Sequence, residues 1–332
     1  MRRSTVILVS IIWLALGGIT DGMTQPSRLV YSPHWLPQAQ FAGYYVALDQ
    51  GFYEEAGLDV EIIHPTASDD PAAFLKDGRA DIISHFLVSA LIARSEGIDL
   101  VNVAQLSQHS GMLFVSRKST EVQTLEDFEG KHVGVWLSGF GEIPRALLQE
   151  REIEVQWVPI FGTVNLFLAG GIDIMTVMWY NEYHQLYLSG IDHEEMNTFF
   201  LSDYGYNLPE DGLYTLGKTL ESRSDEIERF VQATLKGWDY AAENVDYTLQ
   251  LIVSLMRKQH IPSNMAHQRW MLEKVLELQE YESKSLARTE LSLQDFQDTV
   301  RILGERGMLD DACDYTVFFQ PVHLHSQENH QP

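Results

Sequence analysis

Trp35-Leu-Pro-Gln-Ala-Gln-Phe-Ala-Gly-Tyr-Tyr-Val-Ala-Leu48, followed by Gly51-Phe-Tyr-Glu-Glu-Ala-Gly-Leu-Asp-Val60, reads as a loop, a helix, a tight turn and a strand. Ahead of it, Leu29 to Ser32 is a short extended run, and Pro33 and Pro37 exclude a helix between the two. From Gln40 onward Phe41, Tyr44, Tyr45 and Leu48 recur at helical spacing. Gly51 suits the left-handed residue after a helix, Gly57 the next turn, and Leu58, Val60 and Ile62 alternate as in a strand. The loop holds Trp35, Gln38 and Gln40, an aromatic face with two amides beside a positive helix N-terminus. That set suits a planar ligand that hydrogen-bonds at its edge. Trp35 would serve equally to staple the helix to a sheet.

The same alternation continues. Asp69-Asp70-Pro71 predicts a capped short helix to Asp77, followed by a strand from Asp81 to Ser84, a helix from Phe86 to Ser95 and a strand from Leu100 to Leu106. From about Val115 the pattern restarts, with strands at 131–137, 154–160 and 173–178 and helices at 142–151 and 163–169. Gly78-Arg-Ala-Asp-Ile82 and Gly170-Gly-Ile-Asp-Ile174 echo each other, each leading from a short helix into a strand. Strand–helix alternation predicts an α/β fold with mostly parallel sheets, and the echo fits two similar lobes. The chain would cross between them near 111–117 and return near 203–217, through the turn-rich run Tyr204-Gly-Tyr-Asn-Leu-Pro-Glu-Asp-Gly-Leu213. Helices are expected at 224–243, 246–258, 263–279 and 292–306, wrapping the first lobe.

With 332 residues, 45% of them hydrophobic and 21% charged, the chain has the composition of a globular protein with room for a sizeable core. Its net charge of −24 speaks against a nucleic-acid partner, because such a surface repels phosphate. Arg2 and Arg3, the apolar run Val6 to Leu16 and the small residues after it read as a secretory signal over 1–24, with cleavage after Thr20 or Gly22. The single cysteine, Cys313, is far from the leader, so neither a lipid anchor behind the signal nor an internal disulfide is expected. The tail from about 320, with His323, His325 and His330, reads as a polar tail rather than a metal site.

Ligands of α/β sheets sit at the carboxyl ends of strands. Trp35, Gln38, Gln40 and His85 occupy such ends in the first half, with His64 and Ser84 beside them. In the second half come Trp136 with the loop Ser138-Gly139-Phe140-Gly141, and then Trp179, Tyr180, Asn181 and Glu182. The glycine loop opens a helix, so its N–H groups can meet an oxyanion or a carbonyl oxygen, or can simply make a strand-to-helix turn. Two aromatics beside an amide and a carboxylate suit the face and edge of an aminopyrimidine or a flavin.

Trp35-x-Pro37, Gly51-Phe-Tyr, Gly57-Leu-Asp-Val60, Gly78-x-x-Asp81, the 138–141 loop and Gly170-x-x-Asp173 resemble the NMT1/THI5-like (SsuA/THI5-like) family over about residues 29–182. The resemblance implies a two-lobed type II periplasmic binding protein. Lobe I would comprise 25–114 and 206–332, and lobe II 115–205. It implies capture of a small heteroaromatic ligand for an ABC permease and its ATPase, in the periplasm. A thiamine pyrimidine precursor of the formylaminopyrimidine or hydroxymethylpyrimidine type comes first and riboflavin second. Glu182 is placed where such proteins hold an amino group, and the 138–141 loop where they meet a polar or phosphate substituent. No cofactor, metal or catalytic residue is expected. The family's fungal pyrimidine synthases use a cofactor-binding lysine, a histidine four residues on and a cysteine-rich run. Here His85 and Ser89 occupy the first two positions and the run is missing. A sensor passing ligand status to a membrane kinase is the remaining alternative.

Overall fold

The computed structural model describes residues 25–66, 69–137, 141–280, 288–309 and 313–322; the expected leader, residues 138–140 of the glycine loop and the histidine-bearing tail lie outside them. Strand β1 (Ser27–Ser32) pairs in parallel with β2 (Leu58–Ile62) and β3 (Ile82–His85). A short 3-10 turn (Ala39–Phe41) and helices α1 (Ala42–Asp49) and α2 (Phe52–Glu55) connect β1 to β2, and α3 (Pro71–Lys76) precedes β3. Helix α4 (Leu87–Ser95) then leads to β4 (Leu100–Gln105). The stop and start signals act as their chemistry predicts. Gly51 takes φ +77° just past α1, and the Asp70 carboxylate accepts the Ala72 N–H at 2.9 Å while Pro71 opens α3.

The second sheet holds β5 (Met112–Arg117), β6 (His132–Trp136), β7 (Gln156–Ile160), β8 (Ile174–Met178) and β9 (Met196–Phe200), with α5 (Glu142–Glu150), α6 (Asn165–Leu168) and α7 (Glu182–Leu188) between strands. The chain then returns to the first sheet as β10 (Gly212–Leu216). The strand orders are β2-β1-β3-β10-β4 and β7-β6-β8-β5-β9. In each sheet the fourth strand, β10 or β5, runs antiparallel to both neighbours. These two strands occupy the stretches near 111–117 and 203–217 where the sequence predicts the chain to cross; the crossings themselves, 106–111 and 205–211, lie just before them. Every residue of β10 is buried, so it shows no in–out alternation by which to recognise a strand.

Four long helices follow: α8 (Gly217–Glu243), α9 (Val245–Lys258), α10 (Met265–Leu278) and α11 (Leu293–Glu305). Arg223, at φ −136° and ψ 29°, breaks α8 into two pieces, so its main stretch begins at 224 as the sequence predicts. Residues 42–47 of α1 are buried on every face, because α8 lies directly against that helix. A Cβ at Gly43 would fall 2.3 Å from the Trp238 indole, and one at Gly237 would fall 2.1 Å from the Gly43 carbonyl oxygen. Two glycines thus let the backbones meet. The C-terminal helices do not wrap the first sheet alone. Gln268 of α10 holds the Ala39 N–H in the first lobe at 2.7 Å, while Trp270, two residues on, packs against the core cluster of the second lobe.

Candidate functional site

The carboxyl ends of β1 and β3, the β6 and β8 ends opposite, and the two crossing segments (106–111 and 205–211) converge between the sheets. Gln40 is the centre of the hydrogen bonding there. Its Oε1 accepts from Gln38 Nε2 at 2.7 Å, and its Nε2 donates to His34 Nε2 at 3.0 Å and to the Tyr180 hydroxyl of the other lobe at 3.2 Å. An imidazole that accepts at Nε2 carries its proton on Nδ1, and His34 Nδ1 sits 3.1 Å from Ser84 Oγ and 3.4 Å from Asp211 Oδ1. Burial, followed by the neighbouring His85, pushes the His34 pKa well down, so the ring is neutral. Trp35 is 37% exposed, its carbonyl tied to His64 Nδ1 at 3.1 Å, and its ring remains accessible. His85 Nε2 lies 3.5 Å from Asp70, and its Nδ1 is buried without a hydrogen-bond partner.

From the second lobe, Tyr180 is buried and joins Gln40 to the Glu210 carboxyl, so it acts through its hydroxyl as a cross-lobe link. Glu182 is also buried, and its oxygens are engaged within its own loop. They accept the Met178 N–H at 3.0 Å and the Asn181 amide at 3.1 Å. Burial raises its pKa. Trp179 meets Trp270 and Phe200 edge-on, and Lys274 Nζ stands 4.5 Å over its ring. Asn181 Oδ1 accepts from Gln185 at 2.9 Å and faces His267 Nε2 at 3.2 Å. Trp136, half-buried, ends β6. A Cβ at Gly141 would fall 2.1 Å from the Trp136 carbonyl oxygen, so only glycine fits at that position. Ser138, Gly139 and Phe140 lie outside the described residues.

Sequence reasoning passed over four groups. His34 lies two residues past the end of β1. Glu210 and Asp211 sit in the return crossing, inside the run that reads as turn chemistry. Glu210 takes the Gly111 N–H at 2.6 Å and the Ser110 hydroxyl at 3.2 Å, which ties the two crossings together, and burial lifts its pKa to about 7. Asp211 is also pushed well above its ordinary value, by burial and then by Glu210. The fourth group is apolar. Leu137 and Phe161 emerge just past the paired strand ends Trp136 and Ile160, and they are 65% and 71% exposed. Not one of the loops 33–41, 63–66, 106–111, 137–141, 161–164, 179–182 and 205–211 contains a lysine or arginine. Among the described residues no group of three or more His, Cys, Asp or Glu is arranged to hold a metal ion.

The NMT1/THI5-like family profile matches residues 38–246. The formylaminopyrimidine-binding protein of Halalkalibacterium halodurans is 23% identical over 238 residues, 69% of this chain and 70% of its own length. The riboflavin-binding protein RibY of Chloroflexus aurantiacus is 24% identical over 252 residues, 73% of this chain and 70% of its own. Among solved structures, the periplasmic aliphatic sulphonate binding protein SsuA of Escherichia coli superposes with a TM-score of 0.68 at 14% identity, covering 92% of this chain and 96% of that one. That likeness establishes the periplasmic binding protein fold.

Proposed function

The chain belongs to the NMT1/THI5-like family, and from that premise we propose that it is the periplasmic solute-binding component of an ABC importer. It closes two lobes around a small heteroaromatic molecule, a pyrimidine precursor of thiamine first and a flavin second. One observation carries the choice of ligand class. The cleft edge is built of imidazole, amide, phenol and buried carboxyl groups, and its loops contain no lysine or arginine. Such a lining reads the edge of a neutral or cationic ring; the loops give an anionic sulfonate no counter-charge, and Lys274, over Trp179, is already paired with Glu277. The relatives named for formylaminopyrimidine and riboflavin support the same class. Trp35 supplies an accessible aromatic face, Gln38, Gln40 and Asn181 supply amides, and the 138–141 loop supplies backbone donors. Tyr180 couples the lobes as they close. The closed form is what a membrane permease would recognise, and ligand favours it by its differential affinity.

Native mass spectrometry of the purified protein, followed by thermal shift against formylaminopyrimidine, riboflavin and an alkylsulfonate, tests this. A bound heteroaromatic at a hundred times its Kd stabilises by about 2.7 kcal/mol, which a melt resolves easily. Stabilisation by the sulfonate alone, or by none of the three, overturns the proposal.

A further inference from the structure

Asp211 precedes Gly212, which pairs with His85 and Gln105, so it stands at the carboxyl edge of β3 and β4 where the lobes face each other. Its backbone carbonyl accepts the Leu106 and Ser107 N–H groups, which fixes the residue in place. The side chain is enclosed: the residue is only 2% exposed. Ser84 Oγ accepts from the His34 N–H at 3.3 Å and faces His34 Nδ1 at 3.1 Å, so the Ser84 hydroxyl proton is directed to the Asp211 carboxyl. Asp211 Oδ1 has only the His34 Nδ1–H, at 3.4 Å, beside it and no closer hydrogen-bond partner. His85 Nδ1, on the adjoining β3, is likewise buried and unpaired, while the Tyr31 and Tyr44 hydroxyls, on β1 and α1, turn to each other and to Ser84. Buried polar atoms are nearly always paired in native proteins, and two under-satisfied ones, Asp211 Oδ1 and His85 Nδ1, at adjoining strand ends mark a place built to meet a polar partner.

We infer that Asp211, oriented by Ser84 and His34, is the specificity-determining group of this cleft and holds a ring edge that carries a hydrogen-bond acceptor beside a donor. The inference rests on the heteroaromatic reading above. Burial and then the adjacent Glu210 push the Asp211 pKa up, and in its protonated form the carboxyl presents an O–H donor and a C=O acceptor side by side. The ring nitrogen and amino group of a 4-aminopyrimidine match that pair, as do the imide N–H and carbonyl of a flavin. A sulfonate, with acceptors only, can meet the O–H and leaves the C=O without a donor. The carboxylate that the sequence suggested for this task, Glu182, already has both oxygens engaged by its own loop.

The test is calorimetric titration with 4-amino-5-hydroxymethyl-2-methylpyrimidine, the same ring lacking the 4-amino group, and riboflavin. Asp211→Asn keeps a donor and an acceptor in one plane and is expected to hold the matching ligand within about threefold, whereas Asp211→Leu, similar in size and without polar atoms, loses about 30-fold or more. The deamino ring, which keeps only the ring nitrogen, should bind more weakly to the natural protein and lose less than the amino ring in Asp211→Leu. Should that variant not fold, Ser84→Ala carries the question, with about fivefold loss on the amino ring and a smaller one on the deamino ring. Unchanged affinity in Asp211→Leu overturns the inference and leaves the heteroaromatic reading intact. Equal losses in Asp211→Asn and Asp211→Leu overturn the two-point pairing. If neither the pyrimidine nor riboflavin binds the natural protein, the heteroaromatic reading fails and takes this inference with it.

Discussion

The Nδ1 atoms of His184 and His267 lie 3.0 Å apart in rings tilted by only 4°, with centroids 5.3 Å apart, so the imidazoles meet edge to edge on one N–H···N axis. Asn181 fixes the tautomers. Its Nδ2 donates to Glu182, and its Oδ1 takes the Gln185 amide and faces His267 Nε2. His267 therefore carries its proton on Nε2 and accepts from His184 at Nδ1. The bond joins α7, in the second lobe, to α10, which is tied to the first lobe through Gln268 and Ala39.

Protonating His267 places a second N–H on that axis, so the contact has a defined acid limit. Both pKa values are lowered to about 4, for His184 by burial and then by His193, for His267 by burial and then by His184. Both values lie below the ordinary 6.5, so this contribution is complete above pH 6.5 and is lost as pH falls from there toward 4. Lys274, over the Trp270 ring that His184 stacks on, adds a further positive charge nearby. Proton NMR of the imidazoles should show two rings titrating below pH 5. Two ordinary titrations near 6.5 would remove the His184–His267 bond from the solution structure.

Glu210 acts in the opposite direction. Its pKa in the folded protein, about 7, is above the unfolded 4.5, so its contribution is complete below pH 4.5 and is lost as pH rises through 7. The shift corresponds to about 3 kcal/mol between the two limits. Melting temperature should therefore decline from pH 5 to 8 in the natural protein and run flatter in Glu210→Gln. A natural protein whose melting is level across that range would rule this out.

Phe161 stands on the exposed lip beside Leu137, where its ring supports little of the fold. Phe161→Ala should leave the melt within about 0.5 kcal/mol of the natural protein, as surface changes usually do. If the lip closes on the ligand ring, the same change weakens binding of formylaminopyrimidine or riboflavin by about five- to tenfold, the range of one aromatic contact. Unchanged affinity would place the lip outside the ligand site.

Legibility in the sequence followed local chemistry. Asp70-Pro71, Gly51 and Gly78 punctuate α3, α1 and the turn before β3, and such signals depend only on nearby backbone. The strand β10 was hidden because burial on both faces erases alternation, and β9 had no apolar run to announce it. Gln40 could be picked out because it opens a helix at a strand end. Asp211 and Glu210 could not, because in the turn-rich run around them an acidic residue reads as solvated. Only the return of the chain between the sheets buries them. Glu182 shows the converse. Its position beside aromatics pointed to a ligand, whereas the fold directs its oxygens to the start of its own helix.

The crossing of α1 and α8 gives a final prediction, independent of any ligand. Gly237 meets the Gly43 carbonyl so closely that an added methyl would fall 2.1 Å from it, and 2.8 Å from the Ala47 Cβ. Backbone cannot yield there as a flexible side-chain tip would, and Trp238 is fully buried next to it. Alanine has the higher helix propensity, by about 1 kcal/mol, so on an exposed helix Gly237→Ala would stabilise. At this crossing, overpacking opposes that gain at a cost of about 1–3 kcal/mol or more, because α8 must move off α1 and open the core behind it. Denaturant unfolding of Gly237→Ala should give a lower midpoint with an unchanged slope. A raised midpoint would mean that the two helices stand farther apart than their glycines imply.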